Sequence, residues 1–322
     1  MKFILDVMGC DNPNNLIDGI PLALNENKDV YLIACGDSSL IEQGLKSANF
    51  DRSRLEIVNT TEVITDNDFP VSAVRSKKDS SLDVAYSLLK TREDVSVMIS
   101  AGSMGAVIAG AVLILGRNNR QDRPTLATFL PTDNDGIVCL ADCGANVDSR
   151  PEHLLQFAYY SCEYLSKVLN IENPRVGLLS IGTEEQKGNS LTKEAHTLLK
   201  NSDLNYLGNV EAQNVLSGDY DVVVADGFSG NVFLKTIEAT TKSLLNKLSE
   251  FNTFAKGDAK AKSFLNELKG HLLGKMDFNS LGGALLLGAK KPVIKLRGSA
   301  TAQTVVNTIR QAISMVQSGL TI

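Results

Sequence analysis

Short apolar runs alternate with helix-patterned segments along almost the whole chain, and this alternation restricts the fold more than any other feature. Phe3-Ile4-Leu5, Val30-Tyr31-Leu32-Ile33-Ala34 and Leu55-Glu56-Ile57-Val58 read as strands, as do 95–100, 137–141, 176–180, 222–225 and 293–296. Between them 15–25, 38–46, 80–90, 104–115, 152–169, 191–200, 232–248 and 302–317 read as helices, with Asp79 the expected N-cap of 80–90. Such alternation predicts an α/β fold, a mostly parallel sheet with helices on both faces. A length of 322 residues fits one large unit over 1–322. The stretch 251–283 carries no strand signal and reads as a helical excursion from that unit. Within it Phe254, Phe264, Leu265, Leu268, Leu272 and Leu273 interleave with Lys256, Lys260, Lys262, Lys269 and Lys275, and Gly257, Gly270 and Gly274 break it into short pieces. Its basic amphipathic pattern suits either reversible contact with an anionic membrane surface or packing against a partner subunit.

Composition narrows the function. The chain is 43% apolar and 21% charged, as in ordinary soluble enzymes. A net charge of −5 and the absence of tryptophan argue against nucleic-acid binding. Five cysteines, at 10, 35, 139, 143 and 162, match no zinc spacing and read as reduced thiols; no metal and no cofactor are expected. The apolar start is cut short by Asp6 and Asp11, and the longest apolar stretch, 106–115, is too short to span a bilayer. A cytoplasmic location is expected, with contact at the inner face of the cell membrane as an addition.

The chemistry is expected in glycine-rich loops after the strands, where open α/β sheets bind ligands. Four stand out, 100–105, 142–148, 182–189 and 226–231. Asp226-Gly227-Phe228-Ser229-Gly230-Asn231 is the most informative, because its glycines allow close backbone approach and the following helix presents N–H groups that favour an anion. Ser100, Gly102, Ser103, Gly144, Asn146, Asp226, Gly227, Gly230 and Asn231 are the candidate crevice residues. Lys187 reads equally as a surface charge or as a cation facing the crevice. Arg75, Lys77 and Lys78 form a basic cluster that reads as a solvated helix end or as a docking patch for an acidic partner or an anionic substrate. The fingerprints GxGxxG, GxxxxGK[ST] and G-x-S-x-G are absent, and His153 and His196 read as structural.

Taken together the motifs resemble those of the bacterial phosphate:acyl-acyl carrier protein acyltransferases of phospholipid synthesis, the PlsX family. The matching stretches include Asp6-Val7-Met8-Gly9-Cys10-Asp11, Pro151-Glu152-His153-Leu154-Leu155-Gln156-Phe157, Glu184-Glu185-Gln186-Lys187-Gly188-Asn189 and 226–231. The chain departs from the family's usual residues at Val7, Cys10, Ser103, Met104, Leu285 and Arg297. The resemblance implies an isocitrate/isopropylmalate dehydrogenase-like three-layer sandwich with a protruding helical hairpin, assembled as a homodimer. It implies transfer of a long acyl chain from acyl carrier protein to inorganic phosphate. It marks Lys187 and Asn231 as catalytic, adds Asp6 and Gly9 to the substrate-binding set, and makes Arg75, Lys77 and Lys78 the carrier-protein dock. Two other readings compete: a metal-dependent oxidative decarboxylase using a nicotinamide, for which no aspartate cluster is evident, and a non-enzymatic membrane-associated scaffold.

Overall fold

The computed structural model describes residues 1–117, 122–254, 259–275 and 282–320. Its strands are β1 (Lys2–Asp6), β2 (Tyr31–Gly36), β3 (Leu55–Asn59), β4 (Val97–Ser100), β5 (Thr125–Pro131), β6 (Ile137–Ala141), β7 (Val176–Ser180), β8 (Tyr206–Glu211), β9 (Val222–Val224), β10 (Ala284–Leu287) and β11 (Val293–Lys295). Its α-helices are α1 (Pro13–Glu26), α2 (Ser38–Leu45), α3 (Pro70–Ser76), α4 (Ser81–Thr91), α5 (Met104–Gly110), α6 (Pro151–Leu169), α7 (Ser190–Lys200), α8 (Gly227–Phe254), α9 (Ala259–Lys275) and α10 (Ala302–Gln317).

All the described strands join one sheet in the order β3-β2-β1-β4-β11-β10-β5-β6-β9-β7-β8. The first five run parallel, and so do the last four. Between the blocks β10 is antiparallel to both β11 and β5, and β5 is antiparallel to β6. The two parallel blocks therefore run in opposite directions, and their carboxyl ends point to opposite edges.

Strand residues alternate between two buried clusters, one on each face. Phe3, Leu5 and Val97 pack with α1, α2, α6, α7 and α10 on one side. Ile4, Met98 and Leu286 pack with α3, α4, α5 and α8 on the other. This is the three-layer sandwich expected above, and it follows from the period-2 geometry of strands covered on both faces. Charged and polar groups fix the joints. Buried Arg54 donates to the carbonyls of Leu24 (2.7 Å) and Asn27 (2.8 Å), closing the carboxyl end of α1. That is where the helix dipole favours a cation.

Several expectations need correction. Ser80, not Asp79, caps α4, its hydroxyl accepting from the Asp83 amide at 3.3 Å. Asp79 instead accepts from the Thr61 amide (2.9 Å) and hydroxyl, tying the loop after β3 to the start of α4. The apolar run 104–115 is not one α-helix. α5 ends at Gly110 and a π-helical turn continues over 111–115. α8 begins at Gly227 rather than Val232, so the glycine-rich stretch is its first turn. Strands β5, β8 and β10 and helix α3 have no counterpart in the sequence reading. In the excursion α8 and α9 pack on each other. Leu265, Leu268 and Leu272 are half-buried and Phe264 is 64% exposed. Lys256 and Gly257 lie outside the described residues.

Two glycines on these helices have opposite roles. A Cβ at Gly230 would overlap the Asp142 carbonyl oxygen, whereas a Cβ at Gly270 on α9 would meet nothing within 4 Å. Gly230→Ala is expected to cost about 1–3 kcal/mol by overpacking. Gly270→Ala is expected to gain about 0.5–1 kcal/mol by restricting the unfolded chain and favouring helix. Urea midpoints of the two variants check both signs.

Candidate active site

Where the strand direction reverses, a cleft of about 390 Å³ opens on the face that carries α5 and α8. Its base is Leu126 and Thr128 of β5 with Ala284 of β10. One wall is formed by Gly9, Ala101, Gly102, Met104 and Lys295, the other by Asn231, Leu234, Lys235 and Glu238 of α8. Asn231, Lys235 and Glu238 recur at helical spacing, so one stripe of α8 faces the cleft. Cys143 and the 296–299 turn close it.

The first wall rests on a buried polar row. Asp6, Ser100 and Lys295 are in register across β1, β4 and β11. The Ser100 hydroxyl donates to Asp6 Oδ2 at 2.7 Å, and the Gly102 amide donates to Ser100 Oγ at 3.1 Å. Asp6 Oδ1 accepts from the Met8 amide at 3.2 Å. Burial pushes the Asp6 carboxyl up, opposed by hydrogen bonds from Ser81, Ser100 and Met8 and by the charge of Lys295. Ser103 is buried at the start of α5, and no side chain caps that helix. Among the crevice candidates, Gly9 and Gly102 therefore line the cleft, Asp6 and Ser100 support it from behind, and Ser103 is buried without lining it.

The opposite wall is held by a second buried carboxylate. Asp142 Oδ1 accepts from the amides of Leu126 (3.0 Å), Gly144 (3.2 Å) and Ala145 (3.0 Å). Its Oδ2 accepts from the Asn146 amide at 2.6 Å and side chain at 2.9 Å. Burial raises the Asp142 pKa against these bonds. Asn146 in turn accepts the Gly227 amide at 2.8 Å. The Phe228 and Ser229 amides go to Asp226 Oδ1, the N-cap. The expectation that the first N–H groups of this helix await an anion is thus overturned: Asn146 and Asp226 already satisfy them. Asn146, Asp226, Gly227 and Gly230 are scaffold for Asn231. Gly144 has the same role. Its φ of +136° suits glycine, and a Cβ there would lie 2.9 Å from Asn231 Nδ2. Asn231 reaches the cleft and donates through Nδ2 to the Cys143 carbonyl at 3.0 Å.

Charges in the cleft are unevenly neutralised. Arg297 donates through Nε and Nη2 to Glu238 Oε1 (2.9 and 2.6 Å), and Lys235 pairs with the same carboxylate at 3.3 Å. Lys295 is 8% exposed and donates to the carbonyls of Ala101 (3.4 Å) and Leu296. Sequence reading missed Lys295, although a lysine closing an apolar strand is a visible signal. Among the described residues no three His, Cys, Asp or Glu side chains gather as a metal site.

Other candidates lie elsewhere. Lys187 is exposed on the loop after β7 and does not line the cleft. In that loop Gly188 has a φ of +108° and Asn189 caps α7, its side chain accepting the Thr192 amide at 2.9 Å. Lys77 is held by the Val63 carbonyl (2.9 Å) and by Asp68 (2.8 Å), a contact that keeps the Asp68 carboxyl at about 2. Lys78 is held by the Val74 carbonyl (2.8 Å) and Asp83 (3.0 Å). Arg75 is exposed beside Phe69, which is 85% exposed, and Val71. His153 and His196 do not line the cleft: His153 Nδ1 accepts the Arg150 amide at 3.1 Å, and His196 Nδ1 lies 2.8 Å from the Tyr206 hydroxyl.

Comparison with known proteins fits this architecture. The family described as fatty acid synthesis protein matches residues 1–322. A phosphate acyltransferase of Clostridioides difficile (strain 630) is 42% identical over 315 residues, 97% of this chain and 92% of that protein. Among solved structures, a branched-chain phosphotransacylase from Enterococcus faecalis V583 aligns with a TM-score of 0.62 at 13% identity, covering 98% of this chain and 99% of the other. A 4-hydroxythreonine-4-phosphate dehydrogenase from Klebsiella pneumoniae aligns at 0.55 and 11% identity, covering 98% and 99%. The two structures share the fold, which is the dehydrogenase-like type. The full-length match and the close relative place the chain in the PlsX family of phosphate acyltransferases, enzymes of fatty acid and phospholipid synthesis.

Proposed function

We propose that the chain transfers a long fatty acyl group from acyl carrier protein to inorganic phosphate, giving an acyl phosphate. The observation that supports this most is the cleft itself. It sets the amide of Asn231 opposite the buried Lys295, two donors suited to an oxyanion. A phosphate oxygen attacks the thioester carbonyl carbon. The C–O bond forms, the tetrahedral oxyanion collapses and the C–S bond breaks. The sulfur leaves with its electron pair and takes the proton that phosphate carried. Phosphate is already an anion, so positioning matters more than a strong base. Asn231 donates to the developing oxyanion.

Lys187 stands outside the cleft, so its participation requires the 182–189 loop to close over the cleft or a second copy to present it. Lys187→Ala and Asn231→Ala are each expected to lower turnover about 10²–10³-fold, the usual loss for one transition-state donor. Phosphate-dependent loss of acyl carrier thioester measures it, and a folded variant with near-normal turnover removes its residue from the reaction.

Arg75 is the member of the basic cluster best suited to dock the acidic carrier, because Lys77 and Lys78 are engaged within the chain. Arg75→Glu is expected to raise the KM for the carrier substrate and to flatten its salt dependence, with kcat little changed. An unchanged KM leaves the cluster as a helix end only.

No described helix is long and apolar enough to cross a membrane. In this reading the protein is a cytoplasmic homodimer that touches anionic lipid reversibly and delivers its lipophilic product there; the exposed Phe264 on basic α9 supports the lipid contact. Phe264→Glu should abolish flotation with anionic liposomes. Intact flotation removes Phe264 from the lipid contact, and intact flotation with loss of the dimer assigns the hairpin to protein packing.

A further inference from the structure

Lys295 has the features of a ligand contact rather than of a structural lysine. It ends β11 in the centre of the sheet, in register with Ser100 of β4 and Ala284 of β10. More than nine-tenths of it is buried, yet it lines the cleft. Among the described residues no carboxylate lies within ion-pair distance of its ammonium, and two backbone carbonyls are its hydrogen-bond acceptors. An ammonium has three N–H groups, so one remains for a ligand. The contrast within the same cleft is informative. Arg297 and Lys235 both spend charge on Glu238, whereas Lys295 has only the longer-range fields of Asp66 and Asp6. Burial of a charge without direct pairing is costly, and an incoming anion would offset that cost.

We propose that Lys295 is the direct cationic contact for the phosphate acceptor in the cleft. The inference deepens the acyl-transfer reading and rests on it for the identity of the anion. Ser100 and Asp6 then act as positioning residues. Their hydrogen bond fixes the Gly102 amide, and the loop carbonyl of Ala101 aims the ammonium. Burial also lowers the Lys295 pKa to about 8, against the charges of Asp66 and Asp6, so the cation is present below that pH and lost above it. The groups around it are Asp6 on β1, Cys10 after β1, Asp66 after β3 and Lys235 on α8. The Cys10 thiol is pushed up to about 11 by burial and stays neutral in that range.

Calorimetric titration of the full chain with inorganic phosphate, without acyl donor, tests the proposal. Lys295→Met is expected to weaken phosphate binding about 10–100-fold, the loss of one charged hydrogen bond. The KM for phosphate should rise while the KM for the acyl donor stays. A folded Lys295→Met chain with the parental phosphate affinity overturns the proposal. If that variant does not fold, the unmodified chain answers by titration with sulfate, whose charge is constant across the range. Affinity should fall as the pH rises above about 8 and level off once the charge's contribution of about 10–100-fold is lost, and a flat profile overturns the proposal. Because binding is read without acyl donor, phosphate binding that depends on Lys295 in a chain without thioester turnover would sink the reaction and leave the site standing.

Discussion

The buried carboxylate of Asp142 is the constraint on which the site depends. It gathers the Leu126 amide of β5 and the amides of Gly144, Ala145 and Asn146 after β6. Asn146 passes the constraint on, because its carbonyl accepts the first amide of α8. Removing one partner from such a network strands several buried donors, each worth about 1–3 kcal/mol when left unsatisfied. The direction of α8, and with it the position of Asn231, is therefore set by one carboxylate that never reaches the cleft.

The reversal of strand direction explains why the cleft is where it is. In a single parallel block, all carboxyl-end loops would share an edge. Here α8 leaves the carboxyl end of β9 and meets, through Glu238, Arg297 beyond β11 in the opposing block. The cleft lies between that helix and the loops after β1 and β4. Three of the four glycine-rich loops reach it through Gly102, Cys143 and Asn231, and the loop after β7 does not. β7 lies beyond β9, away from the reversal.

Much of the fold was legible because continuous apolar strands such as 222–225 and helices such as 302–317 announce themselves by period. β5 escaped because Thr125, Thr128 and Pro131 break its apolar run, and β8 because Gly208 and Asn209 do. Yet Asn209 is buried within the strand, its side chain donating to the Glu184 carbonyl at 3.0 Å. The site was legible as a set of motifs and illegible as geometry. Glycine and asparagine in 142–148 and 226–231 looked like an anion cradle, but Asp142 and Asp226 use those amides internally. A short polar side chain that caps a helix and one that binds a ligand have the same sequence signature. Lys295 escaped for another reason: a lysine in the apolar run 293–296 is a visible signal, but only the register with Asp6 and Ser100 places it beside the cleft.

The position of Asn231 on α8 also joins the two ends of the molecule. α8 is 28 residues long, about 42 Å at the usual rise. Its first turns carry Asn231, Lys235 and Glu238 along the cleft wall, and its far end packs on α9. A continuous hydrogen-bonded helix resists bending without a proline or an inserted group, and α8 contains no proline. The wall of the cleft and the hairpin are thus the two ends of one rod. That rod is anchored at its start by Asp226, Asn146 and, through Asn146, Asp142, and is braced at its fourth turn by Arg297. The hairpin and the cleft wall therefore belong to one element, and the Arg297–Glu238 bridge resists its rotation away from β11.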